Sequence, residues 1–160
     1  MAVIAHRNEL VSQMASHVAN RGIYHKVIGS TDTIKQITKQ QRKEFGRSFV
    51  NPSASVAVIG VDTLISRQKE LKDWAVQTKL WIVDEAHHVL RENKWGKAVD
   101  MFPHAIGLGV TATPMRADGK GLGREFDGVF DDMIIGPTMR QLRLIVTGKH
   151  INSFSPFIFT

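Results

Sequence analysis

A chain of 160 residues, 42% hydrophobic and 22% charged, has room for one domain of ordinary size and the balance of a soluble globular unit. With no cysteine it has neither a disulfide framework nor a thiolate metal site, and its apolar runs are too short for a membrane span. Lys+Arg 21 against Asp+Glu 15 leaves +6, a balance that favours polyanionic partners, nucleic acid first.

The start, Met1-Ala2-Val3-Ile4-Ala5-His6-Arg7, lacks the basic opening and long apolar core of a signal peptide, so a cytoplasmic protein is expected. Met1 to Ala5 reads as a strand. Asn8 is placed to cap a helix, Glu9 suits its positive end, and Leu10, Val11, Met14, Ala15, Val18 and Ala19 recur at helical spacing until Gly22. Tyr24 to Ile28 reads as a second strand, followed by Ser30, Thr31 and Asp32, any of which can cap the next helix. That helix, Thr33 to Arg47, has few apolar positions and carries Lys35, Lys39, Arg42, Lys43 and Arg47. It is either a nucleic-acid-facing surface or an ordinary solvated face.

After a turn at Asn51-Pro52-Ser53, Ser55 to Ile59 reads as a third strand with a short helix beyond Gly60. Glu70 to Gln77 is a helix, and Leu80 to Val83 is a strand apolar throughout, the pattern of a strand covered on both faces. It ends in Asp84-Glu85-Ala86-His87-His88. Asn93 to Phe102 reads as a helix closed by Pro103, and Ala105 to Val110 as a glycine-containing strand running into Thr111-Ala112-Thr113-Pro114. From Met115 the chain is rich in glycine and loop-like, with one more helix from Pro137 through Leu142 and Ile145. Strands alternating with helices predict an α/β fold, a three-layer sandwich with a mostly parallel sheet.

In such sheets ligands bind beyond the strands' carboxyl ends, where Asp84 and Glu85 fall. Two adjacent acids there suit nucleotide hydrolysis, one holding Mg²⁺ through its water shell and the next orienting the attacking water. The bland alternative is that they cap a helix at Ala86-His87-His88 and bind nothing. A site for zinc or another transition metal from Asp84, His87 and His88 is a further alternative, but the His-Glu-x-x-His arrangement of zinc hydrolases is absent. Lys120 among glycines is not a phosphate loop, because no Gly-x-x-x-x-Gly-Lys-Ser/Thr string occurs; a flexible surface loop is expected there.

Ala5-His6-Arg7-Asn8-Glu9-Leu10, Gly60-Val61-Asp62-Thr63-Leu64, Asp84-Glu85-Ala86-His87 and Thr111-Ala112-Thr113-Pro114, in that order, resemble the first RecA-like motor domain of DEAD/DEAH-type superfamily-two helicases. Asp84 to His88, Thr111 to Arg116, Asp118 to Gly123 and Gly136-Pro137-Thr138 are similar, more narrowly, to bacterial and phage helicase-like proteins related to restriction-enzyme motor subunits. The resemblance implies ATP and Mg²⁺ as cofactors, Asp84 as the metal-holding acid and Glu85 as the water-activating one. It implies that His87, with Thr111, Ala112 and Thr113, couples nucleotide state to movement of a second domain, and that His6, Arg7 and Thr63 contact the backbone of DNA or RNA.

The resemblance further implies a partial helicase domain over 1–145 and the start of a linker over 146–160. The phosphate-loop strand and the second RecA-like domain would lie outside the chain. The chain is therefore expected to be an inactive fragment of an ATP-dependent helicase or translocase, with strand edges left open at a gap in the sheet and low stability when isolated; the alternatives are that the sheet closes over the gap or that a separate chain supplies the missing strand. The alternative function is a non-catalytic nucleic-acid-binding module.

Overall fold

The computed structural model describes residues 1–113, 115, 119–134, 136 and 157–159. In chain order the elements are β1 (Ala2–Ala5), α1 (Asn8–Asn20), β2 (His25–Ile28), α2 (Thr31–Phe45), β3 (Val56–Gly60), α3 (Val61–Ser66), α4 (Gln68–Gln77), β4 (Leu80–Asp84), α5 (Lys94–Val99), β5 (Ile106–Thr111), β6 (Met133–Ile134) and β7 (Phe157–Phe159). Single 3₁₀ turns lie at Ala86–His88 and Arg124–Phe126. No helix among the described residues is long and apolar enough to cross a membrane.

The strands form one sheet in the order β2-β3-β1-β4-β5-β7-β6. β1 to β5 are mutually parallel, and β7 runs antiparallel to both β5 and β6. Among the described residues no gap interrupts the sheet, as in the alternative in which it closes over: β1 pairs on both sides, and the far edge of β5 carries β7.

The period-2 alternation of the strands divides the core. Ala2, Ile4, Ile59, Trp81 and Val83 face one side, where they pack with Leu64, Leu71, Ala75, Trp95 and Phe102 from α3, α4, α5 and the turn beyond. Val3, Ala5, Val27 and Val58 face the other, against Val11 and Ala15 of α1 and Ile37 of α2. Helices on both faces make the α/β sandwich with a mostly parallel sheet that the alternating pattern predicts.

Several local expectations change. Asn8 is the first residue of α1 rather than its cap; Arg7 holds the cap position and makes no side-chain cap bond. At α2 the cap is Ser30, whose Oγ accepts from the Thr33 amide at 3.1 Å. β4 is not evenly covered: Trp81 and Val83 are buried, whereas Leu80, Ile82 and Asp84 on the other face are half-buried, because α1 and α2 sit over β1 to β3. α5 stops at Val99, and the chain beyond it turns through Asp100 and Met101. The segment after Gly119 is no free loop, since Leu122 and Phe130 are each 2% exposed and join the first core cluster. Gly109 of β5 makes room for this: a Cβ there would stand 2.5 Å from the Phe130 ring and 2.8 Å from Ala86 Cβ. The helix expected from Pro137 through Ile145 lies outside the described residues.

One buried polar cluster ties the second face together. His25 and Gln41 are both fully buried. Gln41 Nε2 donates to the Ala15 carbonyl at 3.2 Å and to His25 Nε2 at 3.1 Å, and its Oε1 accepts from the Phe49 amide at 2.9 Å. His25 Nδ1 donates to the Ile23 carbonyl at 3.0 Å, which fixes the neutral tautomer with Nε2 as acceptor. Burial holds the His25 pKa below its ordinary value, the Ile23 bond opposing in part.

Candidate functional site

The parallel register brings four strand ends to one edge of the sheet. Ala5 is level with Gly60, and Asp84 with Val110, so His6 and Arg7, the start of α3, the Asp84-Glu85 pair and Thr111 emerge side by side. β4 is ended by Glu85, which has φ +56°, one of two non-glycine residues with positive φ among those described. A left-handed backbone costs a Glu about 1–2 kcal/mol, and it turns the chain within one residue from strand into the 3₁₀ turn carrying His87 and His88. Glu85 makes no side-chain cap bond to that turn, so capping does not account for the acid pair.

Asp84 is half-buried and its Oδ1 accepts the Glu85 amide at 3.0 Å. Glu85 Oε2 lies 3.2 Å from His87 Nδ1, with the two side chains 44% and 23% exposed. His87 Nδ1 is also 2.8 Å from Thr111 Oγ1 and 3.2 Å from Thr113 Oγ1. Thr111 Oγ1 accepts from the Thr113 amide at 3.1 Å and donates its proton to the Thr113 carbonyl at 3.2 Å. Its remaining lone pair is then available to a proton on His87 Nδ1. That one proton has the Glu85 carboxylate and the two threonine hydroxyls within reach, and can serve one of them at a time.

Behind the acids lies an aromatic stack that connects β1 to the 3₁₀ turn. The His6 ring sits 5.0 Å from His88 and 5.4 Å from Trp95, at interplanar angles of 21° and 11°, and His87 and His88 are 4.1 Å apart. His6 Nδ1 is buried with no hydrogen-bond partner. The His88 pKa is lowered, first by burial, then by the proximity of His87 and His6, with Glu85 opposing. Asn93 locks the stack in place: its Oδ1 caps α5 by accepting from the Trp95 and Gly96 amides at 2.8 and 3.1 Å, and its Nδ2 donates to the His88 carbonyl at 2.7 Å. Lys94 pairs with Asp62 at 2.7 Å and joins α5 to α3.

The structure thus gathers His87, Thr111 and Thr113 into one hydrogen-bonded cluster, with the Glu85 carboxylate 3.2 Å from His87 Nδ1 and Asp84 adjoining. Ala112 is exposed between the two threonines. Arg7 is exposed, and with His6, Glu9, Gln13, Glu85 and His87 it lines an open cavity of about 440 Å³. Thr63 is half-buried on α3, and its carbonyl accepts from Ser66 Oγ at 3.2 Å. Sequence reasoning missed the His88-Trp95-His6 stack and the double role of Asn93. The Asn93 cap had a signal, a capping residue directly before an amphipathic run; the stack had none, because His6 and Trp95 are far apart in sequence.

The donor set bears on a metal. Among the described residues no three His, Asp or Glu side chains converge, and His87 Nδ1 is engaged with Thr111 while the His88 ring is stacked. This does not suit zinc, which needs three or four such ligands. It does suit Mg²⁺, which takes one or two carboxylates and keeps its remaining places for water and phosphate oxygens.

Among known protein families, the model described as "Type III restriction enzyme, res subunit" matches residues 1–116. No curated protein matches the chain.

Proposed function

The chain belongs to the family of the type III restriction enzyme res subunit, and from that premise we propose that it is part of an ATP-dependent DEAD/DEAH-type superfamily-two motor acting on DNA or RNA. The fold and the family together make it a helicase-like NTPase module. The observation that carries the finer reading is the cluster of Glu85, His87, Thr111 and Thr113 at the ends of two adjacent parallel strands, beside the exposed Arg7.

In this reading Asp84, whose Oδ1 accepts the Glu85 amide, would hold Mg²⁺, which would supply charge neutralisation for the ATP phosphates. Glu85 orients the attacking water and receives its proton. His87 passes the state of Glu85 to β5: when the carboxylate is charged it competes for the Nδ1 proton, and when it is protonated that proton turns to Thr111. The Thr111-Ala112-Thr113 segment carries the change onward. Arg7, His6 and Thr63 face the nucleic-acid backbone; phosphate contacts of this kind hold a strand without reading its bases.

No Gly-x-x-x-x-Gly-Lys-Ser/Thr string occurs in these 160 residues, so turnover requires a phosphate-holding segment that they do not contain. The same fact favours a second reading, in which this chain binds nucleic acid without catalysis. An ATPase assay with and without single-stranded DNA, run beside an oligonucleotide-binding titration, tests both. Salt-sensitive binding without hydrolysis is the result expected for these residues alone. DNA-stimulated hydrolysis abolished by Glu85→Gln would show a complete site and overturn the second reading. Absence of binding at low salt would overturn both.

A further inference from the structure

We propose that the outward face of α2 is a second nucleic-acid contact, a row of cations that grips the phosphate backbone of a duplex along the flank of the domain. The proposal rests on the nucleic-acid reading above and adds a surface to it. Lys35, Lys39 and Lys43 follow one another at i, i+4 and i+8, with Arg42 beside them, and all four are exposed. At a rise of about 1.5 Å per residue the three lysines stand roughly 6 Å apart along the helix axis. None of the four makes an ion pair with a described residue.

An ordinary solvated helix does not look like this, and α4 of the same chain supplies the comparison. There Arg67 is paired with Glu70, and Lys69 and Lys72 are interspersed with Glu70 and Asp73. Along α2 the i, i+4 neighbours Lys35, Lys39 and Lys43 are like charges instead, an arrangement that destabilises a helix, and among the described residues no acid forms an ion pair with them. Only Asp32 and Glu44 are acidic in the whole element. Gln36 lies exposed between the cations and adds an amide donor suited to phosphate oxygens, while the Gln40 amide donates to Ser16 Oγ at 3.3 Å.

The same face selects among polyanions. Its apolar residues are turned away: Ile37 is buried against the sheet and Ile34 packs in the same cluster. A helix that binds a lipid surface needs an apolar face to insert, and α2 has none free. The row also carries no aromatic ring on which an unpaired base could stack, so it suits the regular phosphates of a duplex over a single strand. α2 begins beyond the carboxyl end of β2, at the sheet edge that bears Arg7 and the acids, and runs back along the domain's side. A duplex lying on it would lead toward that edge.

The test is a salt titration of duplex binding by the whole chain. Lys35→Gln, Lys39→Gln and Lys43→Gln together should weaken binding at least tenfold at low salt. They should also flatten the slope of log K against log salt by about 2.7, at about 0.9 for each phosphate no longer neutralised by a lysine. A triple variant elsewhere, Lys69→Gln, Lys72→Gln and Lys97→Gln, removes the same charge and should change the slope by less than one. Equal effects of the two variants would overturn the proposal, as would binding to anionic vesicles in place of the duplex. If the α2 variant binds like the unmodified chain while Arg7→Ala weakens binding, the proposal falls and the reading of the strand-carboxyl edge stands. If the unmodified chain binds no duplex, the α2 proposal is overturned, and retained binding of a single-stranded oligonucleotide would preserve the reading it rests on.

Discussion

Thr111 is 2% exposed and its single hydroxyl serves three partners, the amide and carbonyl of Thr113 and the ring of His87. Replacing it with valine keeps the shape and strips the hydrogen bonds, so Thr111→Val should cost about 1–3 kcal/mol in urea unfolding. A change below about 0.5 kcal/mol would mean that the cluster is not held as described. His25 gives a pH prediction whose sign follows from its lowered pKa. The folded state prefers the neutral ring, so the stability it contributes is complete above the unfolded value, about 6.5, and is lost as pH falls through the folded value. His88, also lowered, acts in the same direction. Thermal unfolding between pH 7.5 and 5 should show a falling midpoint, and the fall should be smaller in His25→Gln; a midpoint that rises toward pH 5 would contradict the buried neutral tautomer. Legibility at this scale divides by sequence distance. Asp84 and Glu85 stand out because an apolar strand stops at them, and the tie of His87 to Thr111 follows once β4, which leads into the turn carrying His87, is placed beside β5, which ends at Thr111. The His6-His88-Trp95 stack and the Gln41-His25 bond depend on how distant elements pack, which spacing along the chain does not encode.

At the scale of elements, α2 shows stability traded for charge. Lys39→Glu turns two repulsive i, i+4 neighbours, Lys35 and Lys43, into attractive ones and should stabilise the fold by about 0.5–1 kcal/mol, raising the melting midpoint by a few degrees. Differential scanning calorimetry checks this, and a lowered midpoint would mean that the lysines have acidic partners of their own. β5 shows the reverse economy of space: Gly109→Ala places a methyl against the Phe130 ring and Ala86, and should destabilise by about 1–3 kcal/mol. The helices were legible from their period and stops, as Gly22 with φ +70° after α1 illustrates. The segment from Gly119 to Asp131 was not, because glycine-rich composition reads as surface loop while Leu122 and Phe130, few and widely spaced, are what bury it.

Over the whole molecule, the order β2-β3-β1-β4-β5 sets His6, Arg7, Asp84, Glu85 and Thr111 at one edge of a parallel sheet that carries helices on both faces. The alternation of strand and helix made this class of fold readable. The far side was less so, since β7 completes the edge of β5 in the antiparallel sense and nothing in the period of residues 157–159 announces a partner. With β7 paired to β5, thermal unfolding tests the expected low stability, which a single sharp cooperative transition would contradict.

The central claim is that one sheet edge carries two separable functions, nucleic-acid contact at Arg7 and the hydrolytic acid at Glu85. Fluorescence anisotropy of a labelled oligonucleotide, titrated with the unmodified chain, Arg7→Ala and Glu85→Gln, tests it most directly. The account predicts that Arg7→Ala weakens binding about 3- to 10-fold and lowers the salt slope by about 1, while Glu85→Gln binds as well as the unmodified chain or more tightly. Loss of binding in Glu85→Gln equal to that in Arg7→Ala, or no effect of Arg7→Ala, would contradict it.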